Sequence, residues 1–531
     1  MKANYILKSN AIFNSIDDTP VSGGVAVGGN IILGIFREPE LSTYNGPDTK
    51  VIDYGDKLIM PGFIDSHTHT GLAMDFEDET YCIDIGAAST FPEIMEMMKE
   101  WGARHPEADV VFATNYNFFN LNDHFIPSAK AIDEYFSDRP ALILTWELHT
   151  YYANSKAIEM SGVTRDTPDP NNGIGKDENG ELNGIFNDTA AFALQKIVAR
   201  PLEARKGALA RFMRKLNAYG ITSVADLFPC GTVTPYPLFK AMENELTLRI
   251  HFYPELLSFK PEDINEYKKN YNSPMLQFSG LKNLIDGVIS VHTAWMKEPY
   301  KDDPSTAGFP AVTPEEVRGK MLEALGMGVN VRIHTIGDQA VHYVLDVFEE
   351  AEKKFGRLKR YNVMEHLEYV DDEDLPRFSE LGIIADMQGR HITFYVDEAK
   401  RIMGEEREKI AFRWRDIYDS GAVIGTGTDY PVIHFSPFPG IYAAITRQQE
   451  NGYPEGGWMP KQCMTLSEML KITTIGSAYA INREVDLGSL EPGKLADIIV
   501  LDRNLFNVSP REILETIPVM TMVGGKMVFT R

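Results

Sequence analysis

Pro61-Gly62-Phe63-Ile64-Asp65-Ser66-His67-Thr68-His69 is the stretch from which the rest of the chain is read. A Pro-Gly turn opens it, and Phe63 to His69 then reads as a short strand. Side chains alternate faces along a strand, so His67 and His69 point the same way. Two imidazoles side by side at a strand's end suit a divalent metal. His-x-His alone is weak evidence, because two polar residues leaving a sheet look the same. Asp65 within this stretch, and His334, His366 and Asp429 further along, also sit at or near the ends of apolar runs.

The middle of the chain alternates such runs with amphipathic helical stretches. Eight strand candidates stand out: 63–69, 221–226, 248–253, 281–287, 330–335, 361–366, 383–388 and 422–429. Helix-like segments separate most of them, among them 314–325, 340–355 and 409–420. Repeated β-α units imply a parallel sheet, and eight imply an α/β fold of the closed (β/α)8 TIM-barrel type. Active sites in that fold lie at the strands' C-terminal ends, where His67, His69, His334, His366 and Asp429 all fall. Alone, His334 and His366 are more often barrel-core histidines; in this company a shared rim is the better reading. Asp429 is the one acid ending the last strand candidate.

Residues 1–60 and 487–531 are rich in short strands and turns, Gly524-Gly525 being a hairpin signal. They are expected to form one small β-sandwich domain from both termini, flanking a barrel over 61–486. About 70 to 220 is too long for a loop after the first barrel strand, so it is expected to be an inserted subdomain, with a strand over 138–144 and a surface loop or hairpin over 166–183. An excursion from a strand's C-terminal end starts at the mouth, so this insert is expected to wall or lid the pocket; a peripheral decoration is the alternative.

The formal net charge of −24, from 52 basic and 76 acidic residues, argues against nucleic acid or an anionic membrane as main partner. Cys82, Cys230 and Cys463 are far apart and form no CxxC, which fits a reducing compartment. With no signal-peptide core at the N-terminus and no apolar run of about eighteen residues, the cytoplasm is the expected location.

Several stretches together resemble the metal-dependent amidohydrolase superfamily, and more closely its YtcJ-like branch, which includes formamide deformylases. Residues 61–69 match the opening motif. Glu147-Leu148-His149-Thr150-Tyr151-Tyr152-Ala153-Asn154-Ser155 is similar to an insert motif DGHxxWVNS, with Glu, Leu and Tyr as departures. Lys282-Asn283-Leu284-Ile285-Asp286-Gly287 resembles KxxxDG, Arg332 to Asp338 resembles xIHxIGD, and Glu365-His366 resembles EH. Gly427-Thr428-Asp429-Tyr430-Pro431-Val432 resembles GSDWPV, and Gly488 to Asp497 the return into the β-domain.

The resemblance implies two divalent metal ions, with zinc expected. His67 and His69 would hold the first and His334 and His366 the second. Lys282, carboxylated by CO2, would bridge them, and Asp429 would ligate the first metal and shuttle protons. It further implies substrate contacts from His149, His292, Trp295, Gln388 and His391. Gly389 stands where the family's MQPxH has Pro, and His292 where Arg is frequent. Asp286 and Asp338 are read as supporting or helix-capping residues; His105, His124, His251, His342 and His434 carry no argued chemistry.

The expected activity is hydrolysis of a non-peptide C–N bond in a small amide, formamide or cyclic amide. A mononuclear deaminase or isomerase on the same scaffold is the alternative, and a non-catalytic assembly protein ranks last because every ligand type is present. The substrate, the choice among zinc, iron and manganese, and the oligomeric state (a homodimer is one option) stay open.

Overall fold

The computed structural model describes residues 2–531 apart from 38–39, 147–149, 170–172, 199, 229–233, 358–359 and 394–395. Its contacts divide into two compact units: residues 1–69, 213–228 and 243–531, and residues 70–212 and 229–242. Among the described residues no helix is long and apolar enough to cross a membrane.

In the first unit, both termini build one eight-stranded sheet. Tyr5–Ile12 lies at its centre, antiparallel to Val21–Gly28 and parallel to Lys50–Asp53 and Leu58–Pro61. Ile498–Leu501, Pro518–Val523 and Lys526–Thr530 extend the sheet from Leu58–Pro61. The sandwich expected from sequence is a single continuous ladder, because the long strand Tyr5–Ile12 changes partner partway along without breaking pairing. The sheet curls over its own apolar side chains, among them Leu7, Val25, Val27, Ile498 and Met520. Ile32 N–H donates to Lys494 O at 2.8 Å and Ala496 N–H to Asn30 O at 2.9 Å, so the far hairpin returns to the C-terminal strands.

Among the described residues, the remainder of this unit holds nine parallel strands, eight of them at the positions expected from sequence: β1 (Phe63–Thr68), β2 (Ile221–Leu227), β3 (Arg249–Tyr253), β4 (Leu281–Leu284), β5 (Val331–Thr335), β6 (Val363–His366), β7 (Ile384–Asp386) and β8 (Ile424–Gly425). β1–β3 lie in one ladder, with Leu276–Phe278 beside β3, and β4–β8 lie in another. Single parallel bridges join the two: Glu255 with Lys282, and Thr68 with Tyr430. The second join is reinforced by Ser66 N–H on Thr426 O at 3.2 Å and Asp429 N–H on His67 O at 2.7 Å. β1, β2, β3, β5 and β6 are buried at every residue, the pattern of strands covered on both faces.

Two expected elements are shorter than their sequence pattern. The strand over 422–429 keeps only two ladder residues because Gly427 abuts β1: a Cβ there would lie 2.2 Å from His67 N. The helix over 409–420 begins at Trp414, since Phe412 takes a left-handed φ of 46°. The helices Pro314–Gly326 and Asp338–Phe355 form as expected. At the junction with the terminal sheet, Arg249 donates to both Asp497 oxygens, at 2.7 and 2.9 Å, which explains the Asp in the return motif.

The second unit carries a six-stranded sheet in the order Ile174–Lys176, Leu182–Asn187, Thr150–Ala153, Ala141–Thr145, Val111–Tyr116 and Ile83–Asp84. Asn154 organises one corner. Its Oδ1 accepts from Ala157 N–H at 2.9 Å, capping the helix Ser155–Ser161, and from Ala141 N–H at 3.0 Å. His149, expected to reach substrate from this unit, lies outside the described residues.

Candidate metal centre

β1 supplies His67, fully buried, and His69, half-buried, directly follows its end, with the two ring centroids 5.7 Å apart. Asp429 closes on both: its Oδ1 is 3.2 Å from Nε2 of His67 and 3.2 Å from Nε2 of His69. β5 supplies His334 and β6 supplies His366. The His366 ring lies between His67, at 4.8 Å, and His334, at 4.3 Å. Lys282 of β4 is buried, and its Nζ meets Glu365 Oε2. His67, His69, His334, His366 and Asp429 are thus linked by direct contacts, and Lys282 joins them through Glu365.

Backbone geometry sets two of these donors. His366 has φ +70° and Asp429 φ +61°, left-handed values that non-glycine residues seldom adopt and that concentrate at functional sites. Strand alternation sends Glu365 and His366 to opposite faces; the left-handed turn at His366 brings its ring back, so both reach His67.

A buried cation supports the group from below. Arg332 donates to Glu365 Oε1 at 2.7 Å, to Ser66 O at 2.7 Å, to Ala480 O at 3.2 Å and to Asp386, and sits 4.9 Å over the Tyr253 ring. Ser66 donates to the other Asp386 oxygen at 2.9 Å. Glu365, fully buried, joins Arg332, Lys282 and His67. Its place beside a ligand marks no role for it, because successive strand residues face opposite ways.

Burial drives the imidazoles of His67 and His366 well below the ordinary histidine range, so both are neutral, the form that binds metal. Burial pushes the Asp429 carboxyl up, but the adjacent His67 and His69 outweigh it and hold it well below the usual carboxylate range. Asp65 and Asp286 go the other way, each pushed up to about 7 by burial. Asp65 accepts from Thr428 N–H at 2.8 Å and its hydroxyl at 2.6 Å, fixing the chain just before Asp429. Asp286 accepts the N–H groups of Trp295, Ile336 and Gly337 at 3.0, 3.1 and 2.8 Å, and its Oδ1 is 3.7 Å from His334 Nε2. Asp338 accepts Lys297 N–H at 2.8 Å and Gln339 N–H at 2.9 Å at the start of its helix.

These donors fit a divalent metal. Three trios have ligand atoms within 4.8 Å of one another: His67-Glu365-His366, His67-His69-Asp429 and His366-His391-Asp429. Nδ1 of His67 and Nδ1 of His366 are buried without a hydrogen-bond partner among the described residues. Leaving a buried polar atom unpaired costs about 1–3 kcal/mol, which a cation at that position removes. A fourth trio, His342-Glu373-Asp374, is threaded by Lys297 and Arg377 and is an ion-pair network.

Of the residues expected to face substrate, His391 is brought to the centre. Its Nε2 is 3.7 Å from Asp429 Oδ2 and its ring stacks on His366 at 5.9 Å and 16°. Gln388 is buried, with Nε2 on Asp386 O at 3.3 Å and Oε1 without a hydrogen-bond partner among the described residues. His292 engages Asp302 at 2.8 Å and the Tyr300 ring at 4.6 Å, and Trp295 lies 5.7 Å from the Tyr343 ring. Gly389 packs against the helix Pro437–Thr446: a Cβ would lie 2.7 Å from Gly440 O, which accounts for the smallest residue there. A separate, mainly apolar depression, open to solvent, is lined by Phe63, Ile64, Asp65, Ile433 and Phe435 and by none of the metal-site donors.

The chain is 28% identical over 532 residues to the putative amidohydrolase YtcJ of Bacillus subtilis, covering 98% of each. It is 25% identical to N-substituted formamide deformylase of Arthrobacter pascens, covering 96% of this chain and 95% of that one. The crystal structure of an uncharacterized metal-dependent hydrolase from Pyrococcus horikoshii superposes with a TM-score of 0.77 at 24% identity, covering 95% and 99% of the two chains. The fold is shared with that structure, and the clustered imidazoles and carboxylates are of the kind that ligate a divalent metal. The amidohydrolase family model matches residues 50–529, and the chain belongs to that family, an α/β hydrolytic enzyme acting on carbon–nitrogen bonds.

Proposed function

We propose that this enzyme hydrolyses a non-peptide C–N bond in a small amide, formamide or cyclic amide. It would do so on a closed (β/α)8 barrel, in the cytoplasm, with His67, His69, His334, His366, Asp429 and a carboxylated Lys282 holding two divalent ions, zinc by preference. The observation that carries the reading is Asp429 Oδ1 at 3.2 Å from Nε2 of both His67 and His69, among neutral buried imidazoles. The formamide deformylase likeness supports the substrate class.

Divalent ions bound there supply Lewis acidity and make a water acidic enough to attack near neutral pH. The chain's own residues do the rest. Asp429 is ionised, so it accepts a proton and returns it to the departing amine. His391 faces the other Asp429 oxygen, and Asp286 holds the strand-end loops that frame the centre. The test is a panel of amides, formamides and cyclic amides with metal-loaded protein, scored for amine release. Turnover of secondary amides or formamides supports the reading; release of ammonia from an aminated ring instead points to a deaminase.

The second reading is a mononuclear deaminase or isomerase on the same scaffold, which needs no bridge at Lys282. Metal content separates the two: two equivalents per chain for the first, one for the second.

A further inference from the structure

Directly after β6 the chain makes a double left-handed turn, with φ +70° at His366 and +52° at Leu367. The residue it delivers is Glu368, only 2% exposed. Its backbone is pinned on both sides: Leu367 N–H donates to Thr335 O at 2.9 Å, and Glu368 O accepts from Phe412 N–H at 2.7 Å. Its carboxylate faces His391, with Oε1 3.9 Å from Nδ1. The other nitrogen of that ring, Nε2, is 3.7 Å from Asp429 Oδ2. Glu368, His391 and Asp429 therefore form a line across the site, carboxylate, imidazole, carboxylate. Asp429 Oδ1 is already held by His67 and His69, so His391 is what faces its second oxygen.

We propose that Glu368 is a positioning residue: it holds the His391 ring so that Nε2 faces Asp429, fixing the orientation of the proton-carrying carboxylate. Imidazole rings at metal sites take their orientation from the partner of the second ring nitrogen, and loss of such a partner costs about 10-fold to 100-fold in activity. Without Glu368 the carboxylate that faces Nδ1 of the His391 ring is gone. Asp429 Oδ2 then loses a fixed neighbour while its ties to His67 and His69 persist. The effect belongs to turnover, where Asp429 moves a proton, and not to metal loading.

This inference rests on the amide-hydrolase reading for its kinetic arm, and on nothing but the chain for its spectroscopic arm. In the metal-free protein, ring-15N-labelled histidine spectra are compared for wild type, Glu368→Gln and Glu368→Leu. The His391 signals are those absent from His391→Asn. In Glu368→Leu they are expected to move while those of His67 and His69 stay. Glu368→Gln keeps a polar partner and is expected to leave them near wild type. In the metal-loaded enzyme, Glu368→Leu is expected to lower kcat by roughly 10-fold to 100-fold at unchanged KM and metal content, and Glu368→Gln to restore most of it. In the His391→Asn background Glu368→Leu should add nothing. Unmoved His391 signals in Glu368→Leu overturn the proposal even if no substrate is found; a Gln variant as impaired as the Leu variant overturns it by making charge, not positioning, the cause.

Discussion

Asp429 is tied to His67 twice: its N–H donates to His67 O at 2.7 Å, and its Oδ1 lies 3.2 Å from His67 Nε2. The backbone bond fixes where β8 ends against β1, and the side-chain contact turns that join into chemistry. Gly427 makes the approach possible, since a Cβ there would strike His67 N.

Asp429→Asn keeps the shape of this join and removes the proton acceptor. General acid–base groups contribute about 10²–10⁴-fold, so kcat is expected to fall by several powers of ten with KM changed far less. Steady-state kinetics on protein with its metal content matched to wild type check this. Near-normal kcat would show that the proton is carried elsewhere.

Lys282 decides between the one-metal and two-metal readings. A carbamate between two cations offsets their repulsion, so carboxylation and loading should depend on each other. Protein loaded with metal in 13C-bicarbonate is expected to show one carbamate carbon resonance, lost on chelation and absent from Lys282→Ala, which should also lose at least one metal. A full complement of two metals with no carbamate signal would rule the bridge out.

Arg332 is the buried counter-charge for Glu365 and Asp386. Removing one partner of a buried network leaves uncompensated charge and costs about 3–5 kcal/mol. Arg332→Leu is therefore expected to unfold at clearly lower temperature than wild type when both are metal-free. Equal melting temperatures would mean the network contributes nothing net.

Asp286 sets a pH dependence. Burial raises its carboxyl from 3.8 to about 7 in the fold, so the folded chain holds this proton more tightly than the unfolded one. The stability it contributes is present in full below its unfolded pKa, about 4, and is lost as pH rises through about 7. Metal-free Asp286→Asn should lack that loss. Its melting temperature relative to wild type should climb between those limits, and a constant difference across them would refute the assignment.

The resemblance read from the sequence is borne out by the family match across residues 50–529. The alternation of strands and helices was legible because the parallel strands are runs buried on both faces, which write themselves as apolar stretches. His67 and His69 were legible because a period of two is local. Glu365 and Glu368 were not. Their roles depend on left-handed turns at His366 and Leu367, and nothing in a His-Leu pair announces those. The same limit hid the early end of β8, which comes from a contact between Gly427 and a strand some 360 residues earlier in the chain. The role of His149 remains an expectation, because residues 147–149 lie outside the described residues.

The most direct test of the metal centre is elemental analysis of purified protein, native and reconstituted with zinc, manganese or iron, beside His67→Ala and His366→Ala. The wild-type chain is expected to hold two equivalents of divalent metal, falling to one or fewer in each variant. Wild-type protein that takes up no metal, or variants that bind as much as wild type, would contradict it.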